Sequence, residues 1–188
     1  MKIVLASASP RRKEILSMVC QDFDVRVASI DESYDGYSDV HSWIQDIARK
    51  KTLGVQIADG EAIIGCDTVV YHEGKILGKP RTRDEAISML TSMSGKAHRV
   101  ITGICIRTQS RCCTASESTL VYMRELTLAE IEKYVDVYKP YDKAGAYGIQ
   151  EMAGAFVERI DGDFFNVVGL PLCRLCMLFK EEIGVELI

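Results

Sequence analysis

The 188-residue sequence lacks an excess of basic residues, because 23 Lys and Arg stand against 27 Asp and Glu, for a formal net charge of −4. Proteins that bind nucleic acids broadly usually carry a basic excess, so this balance argues against that class. The aromatic stacking motifs of RNA-binding modules are also absent. Any site for phosphate groups must therefore be local.

A long uncharged apolar run is missing as well, although 47% of the residues are hydrophobic. We therefore expect no membrane span, and no signal peptide, because the first residues already form a strand pattern. The seven cysteines are odd in number and scattered, and a reduced, cytoplasmic setting fits them. Cys173 and Cys176 have C-x-x-C spacing without a second pair, so structural core cysteines are favoured over metal or redox chemistry.

Clustered histidines, internal repeats and low-complexity linkers are not found either. His41, His72 and His98 are isolated from one another, so the sequence indicates neither a Ser-His-Asp arrangement nor a histidine metal site. A chain of this length without linkers is expected to form one domain, residues 1–188, with a sizeable core.

The sequence does contain alternating strand and helix patterns. Strands are predicted at Lys2–Ala6, Val25–Ile30 and Ile63–Tyr71, and the intervening helices begin at Ser9 and Asp39. Hairpins and further helices follow. This order predicts an α/β fold, a mixed, twisted sheet with helices on its faces.

Several boundaries can be predicted more closely. The apolar face of the second helix extends as far as Ala58. Capping boxes start helices at Thr82 and Thr127. Phe164–Val168 is predicted as a strand, and a last helix starts at Pro171.

Two arginines stand in the first turn of the first predicted helix, just after the turn that begins at Ser7. Ser9 as N-cap and Pro10 in the first turn are typical of a helix start, yet the helix dipole disfavours cations such as Arg11 and Arg12 there. Free backbone N–H groups and two guanidinium groups at one helix end make a phosphate site. The alternative is two solvated arginines.

Lys51 and Asp67 are charged residues at apolar positions. The Lys51 ammonium either snorkels to the edge of the helix stripe or, as we favour, enters a pocket where an anion lies. Asp67 interrupts the most strand-like run in the chain. It needs a cation, a metal or a water to activate there, unless it is a hydrogen-bonded core residue. The hairpin that follows could bring Lys79 back near Asp67.

These stretches resemble the Maf proteins, nucleoside triphosphate pyrophosphatases with the same broad fold as the inosine triphosphatases. The double arginine and a glycine-punctuated loop are the most specific motifs. The matching motifs are Ser7-Ala8-Ser9-Pro10-Arg11-Arg12, Asp31-Glu32, Ala48 with Lys51, Gly65-Cys66-Asp67-Thr68, Gly78-Lys79-Pro80, Ser94-Gly95 with His98, Asp142-Lys143-Ala144-Gly145-Ala146-Tyr147-Gly148-Ile149-Gln150 and Asn166-Val167-Val168-Gly169-Leu170-Pro171.

The resemblance implies two lobes with the active site in a central cleft, often in a homodimer. It also implies hydrolysis between the α- and β-phosphates, which yields a nucleoside monophosphate and pyrophosphate, with Asp67 as the catalytic carboxylate. The chain looks most like the subgroup that acts on dTTP and UTP. The implied substrate-binding residues are Ser7, Arg11, Arg12, Lys51, Thr68, Lys79, Lys143 and Gln150.

Within that subgroup, the positions of Arg11, Thr68 and Gln150 are linked to base selection. The chain departs from the family pattern at Cys66, where Ala is common, and at Glu151, where Gly is common. Glu151 adds a negative charge beside the expected nucleotide site, so it bears directly on base preference.

A triphosphate substrate also implies a divalent cation, Mg²⁺ or Mn²⁺, held by Asp67, by Glu32 and by phosphate oxygens. Asp67 either deprotonates the attacking water or ligates that metal. Two alternatives remain at this point. One is a pyrophosphatase for 7-methyl-GTP or other modified nucleotides, and the other is a nucleotide-binding regulator of cell division, which would gain nothing from a carboxylate facing a triphosphate.

Overall fold

A computed structural model describes residues 1–31, 33 and 39–188. Its strands and α-helices, in chain order, are β1 (Lys2–Leu5), α1 (Pro10–Ser17), β2 (Phe23–Val25), α2 (Val40–Leu53), β3 (Glu61–His72), β4 (Lys75–Leu77), α3 (Arg83–Met93), β5 (Ala97–Arg107), β6 (Cys112–Met123), α4 (Leu128–Tyr138), β7 (Val157–Asp161), α5 (Phe164–Val168) and α6 (Leu172–Leu178). Short 3₁₀ turns cover Ala144–Ala146 and Met152–Phe156, and one π turn, Phe179–Ile183, follows α6.

The described strands form one mixed sheet in the order β2-β1-β3-β5-β6-β7, with β4 paired to β3. Strand β1 runs parallel to both of its neighbours, whereas the β3–β4 and β6–β7 pairs are antiparallel. A mixed sheet with helices between its strands confirms the predicted α/β fold class.

The chain divides into two compact units. The first contains Met1–Thr68, Thr102–Glu117 and Gly169–Ile188, and the second contains Val69–Ile101 and Ser118–Val168. In the second unit a continuous apolar cluster gathers around the fully buried Leu90, Tyr134 and Phe156. The single domain and the central cleft expected from the sequence stay predictions.

Helix α2 lies directly on the parts of β3 and β5 that belong to the first unit, because glycines face it there. A β-carbon on Gly65 would stand 2.2 Å from the carbonyl oxygen of Ala48, and one on Gly103 would stand 2.3 Å from that of Ile44. Distances this short mean that only glycine allows the helix backbone to approach so closely. The approach fixes the C-terminal half of α2 over β3.

Helix α2 begins where predicted but ends earlier. The Asp39 side chain caps it by accepting from the backbone N–H of Ser42 at 2.9 Å. The predicted extension to Ala58 is wrong, because α2 ends at Leu53 and Ala58 is exposed. Arg107 donates to backbone carbonyl oxygens at and just after the last turn, groups that a longer helix would pair internally.

The second strand is also shorter than predicted. It covers Phe23–Val25 instead of Val25–Ile30, and Val27 is exposed. Its partner β1 ends at Leu5, which pairs with Val25, and the backbone N–H of Arg26 donates to the Leu5 carbonyl oxygen at 3.1 Å where the ladder ends.

The predicted strand at Phe164–Val168 is wrong, because these residues form helix α5. The Asp163 side chain accepts from a backbone N–H of the first turn at 2.8 Å. Asn166 is fully buried and donates to the carbonyl oxygen of Val100 at 3.0 Å and to the hydroxyl of Thr119 at 2.9 Å. These long-range bonds override the strand propensity of the aromatic and β-branched residues.

Both predicted capping positions start helices. Thr127 forms a complete capping box with Glu130, whereas Thr82 caps α3 through its own side chain only, since Glu85 accepts from the N–H of Arg81. No helix in the described part of the chain has the length and apolar character needed to cross a membrane.

Candidate active site

Arg12 is held by hydrogen bonds along its whole guanidinium group. Its Nε donates to the carbonyl oxygen of Gly169 at 2.8 Å, its Nη1 to the hydroxyl of Ser7 at 3.1 Å and its Nη2 to the hydroxyl of Thr68 at 3.0 Å. The Arg12 side chain is only 11% exposed. Of the two arginines in the first turn of α1, this one is therefore not a solvated residue.

Ser9 stands at the N-cap position of α1, but its side chain does not cap the helix as predicted. Its backbone N–H instead donates to the hydroxyl of the buried Ser7 at 3.3 Å. The hydroxyl of Ser7 thus organises the turn before α1, and it also accepts the hydrogen bond from Arg12 Nη1. Arg11 is half-buried in the same turn.

Asp67 on β3 meets two cations of the same unit. The Nζ of Lys51 on α2 lies 2.7 Å from its Oδ1, and the Nη2 of Arg12 lies 3.9 Å from the same oxygen. All three side chains are less than one-fifth exposed. Lys51 therefore does not snorkel to water. Among the described residues this carboxylate faces two cations in a weakly hydrated setting, which suits an anionic ligand.

The second oxygen of Asp67 is differently placed. Both contacts above involve Oδ1, and no side chain or backbone group of residues 1–31, 33 and 39–188 hydrogen-bonds to Oδ2. The carboxylate is also 17% exposed. It can therefore accept a hydrogen bond from water, or ligate a cation, while Lys51 still holds its other oxygen.

Cys66, the departure next to Asp67, is fully buried. Burial raises the pKa of its thiol, so the thiol stays neutral near pH 7. The change from the usual Ala therefore adds no charge to the cluster.

Thr68 continues the network into β5. Its hydroxyl oxygen lies 2.9 Å from that of Thr102, which is completely buried. Sequence reasoning missed Thr102, because a buried threonine in a strand is ordinary. It also missed Gly169 as a ligand of Arg12. The sequence shows only a glycine there, within the Asn166–Pro171 motif, and the structure explains it by a φ of +124°.

Three of the predicted site residues belong to the second unit. Lys143 is 11% exposed, and its Nζ lies 2.8 Å from Asp142 Oδ1 and 3.2 Å from Glu151 Oε2. Gly148 covers its stem, since a β-carbon there would stand 3.1 Å from Lys143 Cε. The departure at Glu151 thus faces a cation, while Gln150 beside it is exposed.

The Gly78-Lys79-Pro80 motif joins the same loop. The carbonyl oxygen of Gly78 accepts from the backbone N–H of Gly145 at 3.0 Å. Gly145 has φ of +66°, and a β-carbon there would lie 2.9 Å from a methyl of Val70, so glycine is required. Lys79 itself is exposed. Its predicted approach to Asp67 stays a prediction.

The predicted divalent cation fits this donor set in one way. Within the described ranges no three His, Cys, Asp or Glu side chains stand together as a metal site, so a preformed cage is not built from them. Mg²⁺ commonly binds one or two carboxylates and completes its shell with substrate phosphates and water. Asp67 suits that mode, and the predicted second ligand, Glu32, lies outside the described residues.

Comparisons with known proteins identify the family of the chain. The family model for Maf-like protein matches residues 2–182. The dTTP/UTP pyrophosphatase of Clostridium novyi is 43% identical over 192 residues, covering 100% of both chains. That of Acetivibrio thermocellus is 46% identical over 190 residues, covering 96% of this chain and 94% of the relative. Among solved structures, the Staphylococcus aureus Ham1 protein is 9% identical with a TM-score of 0.46, over 65% of this chain and 72% of that one.

Proposed function

The chain belongs to the Maf-like protein family, and from that premise we propose that it hydrolyses dTTP and UTP to the nucleoside monophosphate and pyrophosphate. Relatives of 43% and 46% identity over nearly the whole chain carry that activity in their names. The observation that carries the proposal is the contact of Asp67 with Lys51 and Arg12. It places one carboxylate beside two cations to which a triphosphate would bind.

Binding comes first. The Arg12 guanidinium and the Lys51 ammonium supply charge-assisted hydrogen bonds to phosphate oxygens. Lys51 now donates to Asp67 at 2.7 Å, so an arriving triphosphate competes with that carboxylate for the ammonium. Lys79 and Lys143 are proposed to neutralise further phosphate charge.

Asp67 then acts on water. Its Oδ2 accepts a hydrogen bond from a water whose oxygen attacks the α-phosphorus. The bond from that phosphorus to the oxygen bridging to the β-phosphate breaks, and pyrophosphate leaves with that oxygen. The carboxylate takes the proton of the water, as a general base does.

We also propose that the reaction uses Mg²⁺ or Mn²⁺. Asp67, together with Glu32, would hold the cation beside the phosphates, where hard oxygen ligands are preferred. When bound, such a cation offsets phosphate charge and polarises the reacting oxygens.

Base selection is proposed to rest on Thr68, Gln150 and Arg11. Uracil and thymine present O4 beside N3–H, and the amide of Gln150 can match both groups with two hydrogen bonds. Arg11 can donate to the remaining carbonyl. A base without this pattern would not match the Gln150 amide, which disfavours it relative to uracil and thymine.

A nucleotide panel with Mg²⁺ or Mn²⁺ tests the proposal, with pyrophosphate and orthophosphate measured separately. We expect pyrophosphate and a monophosphate in one step, with dTTP and UTP as the best substrates. A diphosphate and orthophosphate would overturn the mechanism. If 7-methyl-GTP is hydrolysed fastest, the bond broken stands and the base assignment does not.

We further propose that the protein works in the cytoplasm as a homodimer. Its seven cysteines are all free, as a reducing compartment requires. Apolar and aromatic side chains are exposed at the end of α4 and just after it, at Val137, Tyr138 and Tyr141, and such patches are typical of association surfaces. Light scattering at micromolar concentration should give twice the 21.0 kDa chain mass. A monomer mass would reject the dimer.

A further inference from the structure

Two thiols of the first unit lie in contact near the turn that joins β5 to β6. The Sγ of Cys105 on β5 is 3.6 Å from the Sγ of Cys112 on β6. The turn between the strands is closed by the backbone N–H of Thr108, which donates to the carbonyl oxygen of Arg111 at 2.8 Å. The sulfurs of a disulfide are about 2.0 Å apart, so these two sulfurs need only a short further approach to become bonded.

The two thiols differ in their access to solvent. Cys105 has a relative exposure of 0%, whereas Cys112 is exposed. Burial raises the pKa of the Cys105 thiol well above its ordinary value, so Cys105 stays protonated near pH 7. Cys112 is therefore the member of the pair that meets a reagent in solution, and Cys105 is the thiol directly behind it.

Arg49 of α2 adds positive charge beside the pair. The hydrogen bond to Asp46 is the main cause that raises the pKa of Arg49, and electrostatic attraction by Cys112 and Cys105 adds to it. A cation near a thiol favours the thiolate, which is the nucleophilic form. An accessible cysteine next to a second thiol is the arrangement found at redox-sensing sites.

The same pair contacts the helix that carries Lys51. The Sγ of Cys105 lies 3.7 Å from the hydroxyl oxygen of Thr52, the residue that follows Lys51 on α2. Arg107, also on β5, donates to the carbonyl oxygen of Thr52 at 2.6 Å. Moving the Cys105 sulfur toward Cys112 therefore changes the contact that β5 makes with the last turn of α2.

We propose that Cys112 and Cys105 form a reversible oxidation site for hydroperoxides, in which Cys112 reacts first and Cys105 closes a disulfide with it, and that the closed disulfide weakens phosphate binding at Lys51. The oxidation itself is independent of the proposed function, whereas its effect on phosphate rests on that function. Disulfides of this transient kind are compatible with a reducing compartment.

Hydrogen peroxide supplies the oxidising equivalents. The Cys112 thiolate sulfur attacks one peroxide oxygen, the O–O bond breaks, and a sulfenic acid forms as hydroxide leaves. The Cys105 sulfur then attacks the sulfenic sulfur, the S–O bond breaks, and a second hydroxide leaves. The two hydroxides take up the two thiol protons, so two thiols and one peroxide give one disulfide and two waters. Contact between the sulfurs makes the second step intramolecular, which favours it over attack by an outside thiol.

Peptide mapping of the full-length protein tests the site. Trypsin cleaves after Arg107 and Arg111, so Cys105 and Cys112 lie on different peptides. After treatment with one equivalent of hydrogen peroxide, we expect a disulfide to link these two peptides, and dithiothreitol to separate them again. Absence of the linked peptides from the treated protein would overturn the inference.

Three variants test the role of each thiol. Cys105→Ala should leave Cys112 as a sulfenic acid that dimedone labels, and Cys112→Ser should leave Cys105 unlabelled. Cys113→Ser is the matched control, because Cys113 lies on the same tryptic peptide as Cys112 but its Sγ lies 3.6 Å from the carbonyl oxygen of Ile106. The linked peptides should persist in that control.

Loss of the linked peptides in Cys113→Ser would make Cys113 the partner and overturn the inference. Dimedone labelling of Cys105 in the Cys112→Ser variant would also overturn it, because the buried thiol would then react first. Melting curves establish that each variant is folded. The linked peptides of the wild type decide the site even if Cys105→Ala fails to fold.

Calorimetry with inorganic tripolyphosphate, which has no base, tests the effect on phosphate. We expect the oxidised wild type to bind about ten-fold more weakly than the reduced protein, the size of one hydrogen bond to a charged group, and dithiothreitol to restore the affinity. Peroxide should leave the affinity of Cys112→Ser unchanged. Equal affinity of the oxidised and reduced wild type would overturn the effect on phosphate. If the reduced protein does not bind tripolyphosphate, the proposed function fails, and the linked peptides still decide the oxidation site.

Discussion

The two compact units use their enclosed polar groups in different ways. In the first, the charged side chains of Arg12, Lys51 and Asp67 are all less than one-fifth exposed. The second unit also encloses one charged side chain, Lys143, which is 11% exposed, but its most deeply buried polar pair is neutral: His98 and Tyr147, whose Nε2 and hydroxyl lie 2.7 Å apart. Removing charges from water costs far more free energy than burying a neutral hydrogen-bonded pair.

The neutral pair is kept neutral by its surroundings. Burial lowers the pKa of His98 to about 3, with a smaller contribution from the nearby His72, and burial raises the pKa of Tyr147 well above its usual range. The pair therefore fixes the packing of β5 against the Asp142–Gln150 loop without carrying charge.

This difference between the charged cluster and the neutral pair indicates which residues serve function and which serve stability. Enclosed cations such as Arg12 and Lys51 contribute little to folding, but they suit an anionic ligand. A neutral, apolar surrounding contributes to stability and offers little to a triphosphate. Substitutions in the first cluster should therefore change activity more than the melting temperature, and substitutions around His98 should do the reverse.

Asp67→Asn should give the largest effect and sharpen this comparison most. The change is nearly isosteric and removes the base, so turnover should fall about 10²–10⁴-fold. The melting temperature should hardly fall, because the carboxylate of Asp67 loses its charge without loss of volume. Steady-state kinetics and calorimetry on the same preparation measure both quantities.

Turnover near that of the wild type would move catalysis to another carboxylate, with Glu32 the first to examine. A large fall in melting temperature would contradict the comparison itself, since it would make Asp67 a structural residue.

Gly65→Ala should change stability and activity together, because Gly65 packs against the helix that carries Lys51. The new methyl would stand 2.2 Å from the backbone of α2, so the helix that carries Lys51 must move away from β3. Overpacking of this kind costs about 1–3 kcal/mol, and we expect both the melting temperature and kcat/KM to fall.

Gly78→Ala serves as the stability control, because no described residue other than its chain neighbours lies within 4 Å of the added methyl, and its φ is not positive. Chemical denaturation should leave that variant near the wild type. If Gly65→Ala loses stability without losing activity, α2 does not set the position of Lys51.

The pH dependence of the free energy of unfolding should reveal that His98, in the neutral pair with Tyr147, stays unprotonated in the folded protein. His98 has a folded pKa of about 3 against an ordinary value of 6.5, so only the unfolded chain binds its proton between these values. Stability is then fully present above pH 6.5 and is lost as the pH falls. Between pH 7 and pH 5 the loss from this group is about 2 kcal/mol.

His98→Gln should flatten that slope, as measured by denaturant unfolding at the two pH values. Glu61 does not interfere in this range, because its hydrogen bond to Arg26 lowers its pKa to about 2, so its contribution is lost only below the ordinary value of 4.5. An identical slope in the variant would mean that His98 takes up a proton in the folded protein.

How far the sequence predicted this molecule depends on the range of the interaction. Local signals were sufficient for the caps at Asp39 and Thr127, because those bonds span three residues. The sequence could not tell that Arg12 donates to Gly169, since that bond spans 157 residues. Helix α5 was missed for the same reason, because Asn166 is placed by strands far away in the chain.

The oddities of charge were informative where they broke a local rule. Lys51 in an apolar stripe was predicted to need an anion, and Asp67 in a strand was predicted to need a partner such as a cation. The structure pairs these two residues with each other. Thr102 breaks no rule, and only the folded chain brings it to Thr68.

Gln150→Ala should have the smallest effect and sharpen the comparison from the other side. Gln150 belongs to the second unit but is exposed, so its loss should change the free energy of unfolding by less than about 0.5 kcal/mol. Its amide is proposed to contribute one or two hydrogen bonds to uracil or thymine, each worth about 1 kcal/mol. The kcat/KM ratio of dTTP over GTP should therefore fall about ten-fold, while the affinity for inorganic tripolyphosphate, which has no base, stays unchanged.

Gln21→Ala, a change at another exposed glutamine, is the control and should leave the ratio intact. If the Gln150 variant keeps the wild-type ratio, base choice lies elsewhere, and Glu151, held at 3.2 Å from Lys143, becomes the next residue to change.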